Sequence, residues 1–160
     1  MEWNVGWWQI SVQRVYPTPA QLSQMYNTVA PRWNRLVHHL GVDRAYVELF
    51  RSLQKDHLLD RLKNHSTVCD CGIGTAAFSL ALAKTINLKM NIVGVDISQE
   101  MLRQAQQSLT RANVPQQLYQ ADINALPFDD NTFDLSMSAH MLEHLPNPIQ
   151  GLQEMVRVLR

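Results

Sequence analysis

Ten residues, Thr67 to Ala76 (Thr-Val-Cys-Asp-Cys-Gly-Ile-Gly-Thr-Ala), constrain the fold more than any other stretch of the 160-residue chain. Val68 and Cys69 suit a short strand buried on both faces, with Asp70 at its carboxyl end. Gly72 and Gly74 allow a tight turn and a close backbone approach to a ligand, because no Cβ intervenes. The apolar run from Ala76 to Ala83 then predicts a helix folded back on the sheet. A carboxylate at a strand end, beside the free N–H groups of a helix start, suits a ligand bearing both hydroxyls and charge. A Gly-x-Gly turn is also an ordinary tight turn, so the residues that follow have to decide.

They continue in a regular alternation. A helix is predicted over 75–86 and a strand over Met90–Asp96. Ser98 is an N-cap for a helix bearing Met101, Leu102, Ala105, Leu109 and Ala112 at helical spacing, stopped by Pro115. Gln117–Ala121 reads as a third strand ending at Asp122, and Phe133–Ala139 as a fourth. Pro146 and Pro148 precede a last helix with Ile149, Leu152, Val156 and Leu159 on one face. Strand and helix at this rhythm imply an α/β fold with a parallel, right-handed, doubly wound sheet.

Three successive strands thus end in aspartate, at Asp70, Asp96 and Asp122. In an open parallel sheet such strand ends share one crevice, where ligands bind. Asp96 lies at about the distance past the glycine turn where an acidic residue takes ribose hydroxyls, and a carboxylate there accepts two hydrogen bonds from a vicinal diol. Asp122 either accepts from an exocyclic amino group such as that of adenine or caps the next turn. Ile97 and Ile123 are placed to sandwich a flat base. Together these features point to an adenosine-type ligand.

Upstream, residues 1–19 form a Trp/Pro-rich segment. Trp3, Trp7 and Trp8 are expected to cover an apolar surface or to act as an interfacial foot, and Pro17 and Pro19 to mark a turn or linker. Residues 20–62 read as a helical layer set over the cleft as a lid, before a domain spanning 63–160. Leu22, Met25, Tyr26 and Val29 form one stripe. Trp33, Leu36, Val37 and Leu40 form a second, in a helix starting after Pro31 and ending at Gly41. Asp43 is the expected cap of a third helix carrying Tyr46, Val47, Leu49, Phe50 and Leu53.

Lys+Arg and Asp+Glu balance at 14 each, which gives no mark of a nucleic-acid partner. Cys69 and Cys71 fit neither a disulfide framework nor a metal knuckle. No apolar run approaches the ~20 residues of a membrane helix, and the first residues lack a signal peptide's pattern. The expected address is cytoplasmic.

The segments Val68-Cys-Asp-Cys-Gly-Ile-Gly-Thr-Ala, Gly94-Val-Asp-Ile-Ser and Ala121-Asp-Ile-Asn-Ala-Leu-Pro-Phe-Asp-Asp-Asn-Thr-Phe-Asp, followed by Ser138-Ala-His-Met-Leu-Glu-His-Leu-Pro-Asn-Pro, resemble the successive motifs of class I S-adenosylmethionine-dependent methyltransferases. The resemblance is closest to the small-molecule branch that includes the ubiquinone and menaquinone biosynthesis enzymes. It covers residues 66–160, with 20–60 matching more loosely. It implies a Rossmann-like sheet of strand order 3-2-1-4 and methyl transfer from S-adenosyl-L-methionine to a small-molecule acceptor. Asp70, Cys71, Gly72 and Gly74 would surround the methionine part of that cofactor, and Asp96, Ile97 and Met101 the ribose and adenine. Asp122 and Ile123 would meet the adenine edge, with Ser138 beside the cofactor and His140 near the sulfonium and the acceptor.

The chain departs from the family pattern twice. The third glycine of the family's turn is Ala76. The sequence given stops at Arg160, where the family continues with further strands, so the expectation is a fragment, or a partner chain that covers an otherwise unpaired fourth strand. Candidate bases are His140, then His144 and Tyr26, with His38 and His39 behind them. No metal is expected, since His140 and His144 lack a third ligand nearby. The competing readings are an inactive cofactor-binding fragment and a nicotinamide-binding Rossmann domain, which requires neither Asp70 before the turn nor the Asp122 motif.

Overall fold

A computed structural model describes residues 2–5, 8–11 and 16–160, with the side chains of residues 2–11 and of Asn34 outside the description. Trp7, and the side chains of Trp3 and Trp8, are therefore outside the described residues. Strands β1 (Glu2–Val5) and β2 (Trp8–Ser11) pair antiparallel.

Helix α1 runs unbroken from Pro19 to His39. Thr18 and Gln21 cap it reciprocally: the Gln21 N–H donates to Thr18 Oγ1 at 3.3 Å and the Thr18 N–H donates to Gln21 Oε1 at 2.8 Å. Pro19 sits in the first turn, where a missing N–H costs nothing, so it begins the helix rather than excluding it. The break expected at Pro31 does not occur. Pro31 removes the hydrogen bond to the carbonyl four residues back, but contacts on both sides hold the helix through it. Tyr26 meets Trp33 edge to face across the proline, with ring centroids 6.1 Å apart, and Ala30 and Val37 are buried on either side of it.

Helix α2 (Val42–Lys55) starts from Gly41 in the left-handed region, not from Asp43. Asp43 lies inside the first turn and accepts from His38 Nδ1 at 2.9 Å instead.

The central sheet is parallel, in the order β5–β4–β3–β6, which is the expected 3-2-1-4. Its strands are β3 (Thr67–Cys71), β4 (Asn91–Asp96), β5 (Gln116–Gln120) and β6 (Leu135–Met137). Between them lie α3 (Ala77–Thr85) and α4 (Gln99–Arg111), and α5 (Pro148–Arg157) follows β6. On one face Val68 and Ile92 pack with Phe50, Leu82, Leu102 and Leu109. On the other Cys69, Cys71, Val93 and Val95 pack with Phe133, Leu145 and Val158. Apolar layers on both faces are what a doubly wound sheet requires.

Two expectations at the carboxyl end are corrected. The fourth strand is shorter than 133–139, and its outer side is not wholly unpaired. Phe133 bridges Leu159 in parallel: its N–H donates to Val158 O, and Arg160 N–H donates back to Phe133 O, both at 2.9 Å. Helix α5 also buries a different face from the one its periodicity suggested. Ile149, Leu152 and Val156 are exposed, whereas Gly151 is buried against Leu145 and Ile123, where a Cβ would come within 2.8 Å of Leu145 Cδ1. A 3.6-residue apolar stripe marks a face but not its direction.

The continuity of α1 yields a prediction. Pro31→Ala restores a backbone hydrogen bond within one helix, and should stabilise the fold by about 1–3 kcal/mol. Denaturant unfolding would detect this; two separate helices meeting at Pro31 would give no gain.

Candidate active site

The turn after β3 is stitched to the end of β4. Gly72 and Ile73 N–H both donate to Val95 O, at 2.8 and 2.9 Å, and Gly74 N–H donates to Asp96 Oδ2 at 2.9 Å. Gly72 and Gly74 adopt φ of +77° and +54°. A Cβ on Gly72 would come within 2.7 Å of Met141 Cβ, while at Gly74 it would meet nothing within 4 Å. One glycine admits a neighbouring loop and the other leaves space open. Ala76 also has positive φ, +69°, so the replaced third glycine keeps the left-handed backbone a glycine would adopt freely.

These strand ends border a cavity of about 450 Å³, roofed by α1. Gly72, Gly74, Asp96, Ile97, Met101, Asp122, Ile123 and His140 all line it. Asp70, Cys71 and Ser138 are not among its lining residues. Asp70 is 1% exposed and accepts from Ser79 Oγ at 2.6 Å. Cys71 is fully buried, and its carbonyl accepts from Ser138 Oγ at 2.7 Å.

Asp96 Oδ1 accepts from Ser98 N–H at 2.9 Å, so each of its oxygens already holds one backbone donor and keeps further lone pairs for a ligand. Burial raises its carboxyl above the ordinary value, against those donors. Asp122 caps a short 3₁₀ turn, Ile123–Ala125, through Oδ1, to which Asn124 donates from its backbone N–H at 2.9 Å and from Nδ2 at 3.0 Å.

Two buried polar atoms at the cavity wall, Thr75 Oγ1 and Asn124 Oδ1, have no hydrogen-bond partner among the described residues. Such atoms are costly unless a ligand or water completes them. Sequence reasoning passed over both. Thr75 read as part of a helix, and nothing in its type marked it as an orphan.

On the far wall, Tyr26 Oη lies 2.7 Å from His144 Nε2, and their rings meet edge to face at 5.5 Å. Burial first, then Asp96 and Glu143, push the Tyr26 phenol up to about 12. Glu143 Oε1 stands 3.7 Å from His140 Nδ1 and 3.8 Å from His144 Nε2. His140 holds a positive φ of +57° and its ring centroid lies 6.2 Å from that of Tyr46. The structure thus gathers His140, His144 and Tyr26, and adds Glu143 and Tyr46. His38 and His39 are exposed and do not line this cavity.

Among the described residues the lining includes Asp96, Asp122 and Glu143, and no lysine or arginine. Among the described residues no group of three His, Cys, Asp or Glu is placed to hold a metal.

Residues 69–160 match the sequence profile described as "Methyltransferase domain", more than half of the chain. The chain belongs to the methyltransferase-domain family. Its fold and motifs are those of the class I, S-adenosylmethionine-dependent branch. The demethylmenaquinone methyltransferase of Lactiplantibacillus plantarum is 34% identical over 140 residues, covering 85% of this chain and 56% of that protein. The chain therefore spans a little over half the length of such curated relatives. Among solved structures, the [4+2]-cyclase SpnF matches with a TM-score of 0.72 at 23% identity, over 91% of this chain and 57% of that one. A putative S-adenosyl-L-methionine-dependent methyltransferase from Methanococcus maripaludis matches with a TM-score of 0.63 at 23% identity, over 84% and 59%. At those identities the two structures speak for the fold alone. No helix among the described residues is long and apolar enough to cross a membrane.

Asp70 supplies a pH signature for this methyltransferase domain. Burial first, and Asp96 nearby, raise its carboxyl from 3.8 to about 7, against the bond from Ser79. The folded state therefore holds a proton that the unfolded chain has lost, and stability from this group declines as pH rises from about 4 to 7. Asp70→Asn should remove that decline, so the wild-type minus variant difference in unfolding free energy should fall as pH rises across the window. A flat difference curve would contradict a proton on Asp70.

Proposed function

We propose that this cleft binds S-adenosyl-L-methionine and that the chain forms the donor-binding part of a methyltransferase for a small-molecule acceptor. The observation that carries the reading is the charge of the cavity wall: among the described residues it holds three carboxylates and no lysine or arginine. Such a wall favours a cationic, hydroxyl-bearing ligand and repels the pyrophosphate of a dinucleotide. The unpartnered Thr75 Oγ1 and Asn124 Oδ1 fit a ligand rich in hydrogen-bonding groups.

In this reading Asp96 accepts from the ribose hydroxyls, Asp122 and Asn124 face the adenine edge, and Ile97, Met101 and Ile123 enclose the base. Gly72, Gly74 and Thr75 hold the amino-acid end from the turn. Asp70, Cys71 and Ser138 act behind this wall, bracing the turn rather than touching the ligand. When bound, the cofactor supplies a methyl group on a positively charged sulfur. The protein's part is to align that methyl with a nucleophile and keep water out.

In the same reading His140 takes the acceptor's proton, and Glu143, 3.7 Å from its Nδ1, stabilises the imidazolium. The Tyr26–His144 pair positions the opposite wall. The relatives named demethylmenaquinone methyltransferase make a quinone-ring acceptor the leading candidate for this chain, and the aromatic wall of Tyr26, Trp33, Tyr46 and Phe78 suits a flat ring.

Calorimetry should give micromolar-range affinity for S-adenosylmethionine and its demethylated product, and none for NAD; preference for NAD would end this reading. Asp96→Ala should weaken donor binding roughly 10–100-fold through the lost charge-assisted bonds. A separate variant tests the base. His140→Gln should lower kcat by about 100-fold or more while donor affinity holds; an unchanged kcat would remove His140 from the chemistry.

A further inference from the structure

Helix α1 carries an exposed apolar stripe that overlaps its cavity-facing side only at Leu36 and Leu40. Met25, Val29, Leu36 and Leu40 recur at 4, 7 and 4 residues, which puts them on one stripe, and they are 45%, 37%, 47% and 65% exposed. From Met25 to Leu40 the stripe runs about 22 Å at the helical rise. Arg32 falls within it and Arg35 flanks it; both are exposed and neither forms an ion pair among the described residues. No aspartate or glutamate occurs anywhere in α1. The chain as a whole is neutral, so this helix is a local concentration of positive charge around an apolar stripe. Leu36 and Leu40 also line the cavity, so the mouth of the cleft opens on the same face.

We propose that this face of α1 docks on an anionic lipid surface, and that an apolar acceptor enters the cleft from it past Leu36 and Leu40. A helix with cationic residues beside an apolar face lies in the headgroup region of a bilayer with its apolar side inserted. Charge decides between occupants. A second copy of the chain pairing through the stripe would set Arg32 and Arg35 against another helix without carboxylates, a like-charge contact at the centre of the interface. Anionic headgroups neutralise both arginines while the acyl region takes the four apolar side chains. The entry route rests on the proposed methyl transfer to an apolar acceptor; the docking itself does not.

Flotation of the full chain with phosphatidylcholine vesicles, with and without about one third phosphatidylglycerol, tests the docking. The chain should float with the anionic vesicles, remain behind with neutral ones, and detach as salt rises from about 0.05 to about 0.5 M. Arg32→Gln with Arg35→Gln should weaken the association roughly 25-fold, about fivefold per arginine. Met25→Ser with Val29→Ser should weaken it while S-adenosylmethionine affinity by calorimetry is kept, which shows that the fold persists. Failure to bind anionic vesicles, equal binding to neutral ones, or lipid-free dimerisation abolished by the same substitutions would each overturn the proposal. Since no donor is present in the flotation, those outcomes are separate from failure of the donor-binding reading, which calorimetry alone decides.

Discussion

The structure depends on the short set of hydrogen bonds that fasten the β3 turn to the end of β4. Gly72 and Ile73 share the Val95 carbonyl, and Gly74 reaches the Asp96 carboxylate. These bonds place two neighbouring strand ends, a helix start and a carboxylate within one small volume. They also fix what the turn must be made of. Gly72 has to pass under Met141 at a positive φ, a backbone state that costs a residue with a Cβ about 1–2 kcal/mol before any clash. With that crossing set, α3 packs back on one face of the sheet and the cleft opens at the carboxyl ends of the strands, beside the crossing itself.

The same crossing explains the unusual chemistry of the two aspartates. Asp70 is sealed behind the turn with Ser79 as its partner, and burial raises its carboxyl to about 7. Asp96 is also raised by burial but holds two backbone donors, which favour the charged form. Two carboxylates on adjacent strands thus divide into a buried group near its titration point and a cavity-facing acceptor. The difference comes from deeper burial and the nearby Asp96 charge at Asp70, against the backbone donors that Asp96 receives.

How much of this was legible in the sequence follows from what each signal depends on. The parallel sheet and the common crevice are readable because Gly72, Gly74, Asp96 and Asp122 lie at spacings fixed by βαβ geometry, whereas the strand order follows only from the family resemblance. The sequence predicts a break at Pro31 because proline's cost is local, whereas the Tyr26–Trp33 contact and the burial of Ala30 and Val37, which carry the helix through it, depend on the fold. Asp43 fits a cap by residue type, but the left-handed backbone of Gly41, invisible to composition, starts the helix. The inner and outer faces of α5 were exchanged because Gly151 marks the buried side with an absence of side chain. Thr75 and Asn124 were missed for a related reason: an unsatisfied buried atom is defined by its surroundings, not by its residue type.

Helix α1 connects the parts of the molecule that the sheet alone leaves independent. Ser23 Oγ donates to the Ile97 carbonyl at 3.0 Å, and Asn27 Oδ1 accepts from Ser98 Oγ at 2.7 Å and from Glu100 N–H at 3.1 Å. The helix thereby helps satisfy the start of α4, the segment that follows Asp96. One turn away, Tyr26 reaches His144 on the opposite wall. A displacement of α1 would break contacts at both walls together, since Ser23, Tyr26 and Asn27 sit on consecutive turns of one rigid element. One rigid helix thereby ties Ile97 and Ser98, next to Asp96, to His144 across the cavity. That mechanical link requires the helix to run whole through Pro31, because a hinge there would uncouple Leu36 and Leu40 at the mouth from Tyr26 and Asn27 at the wall.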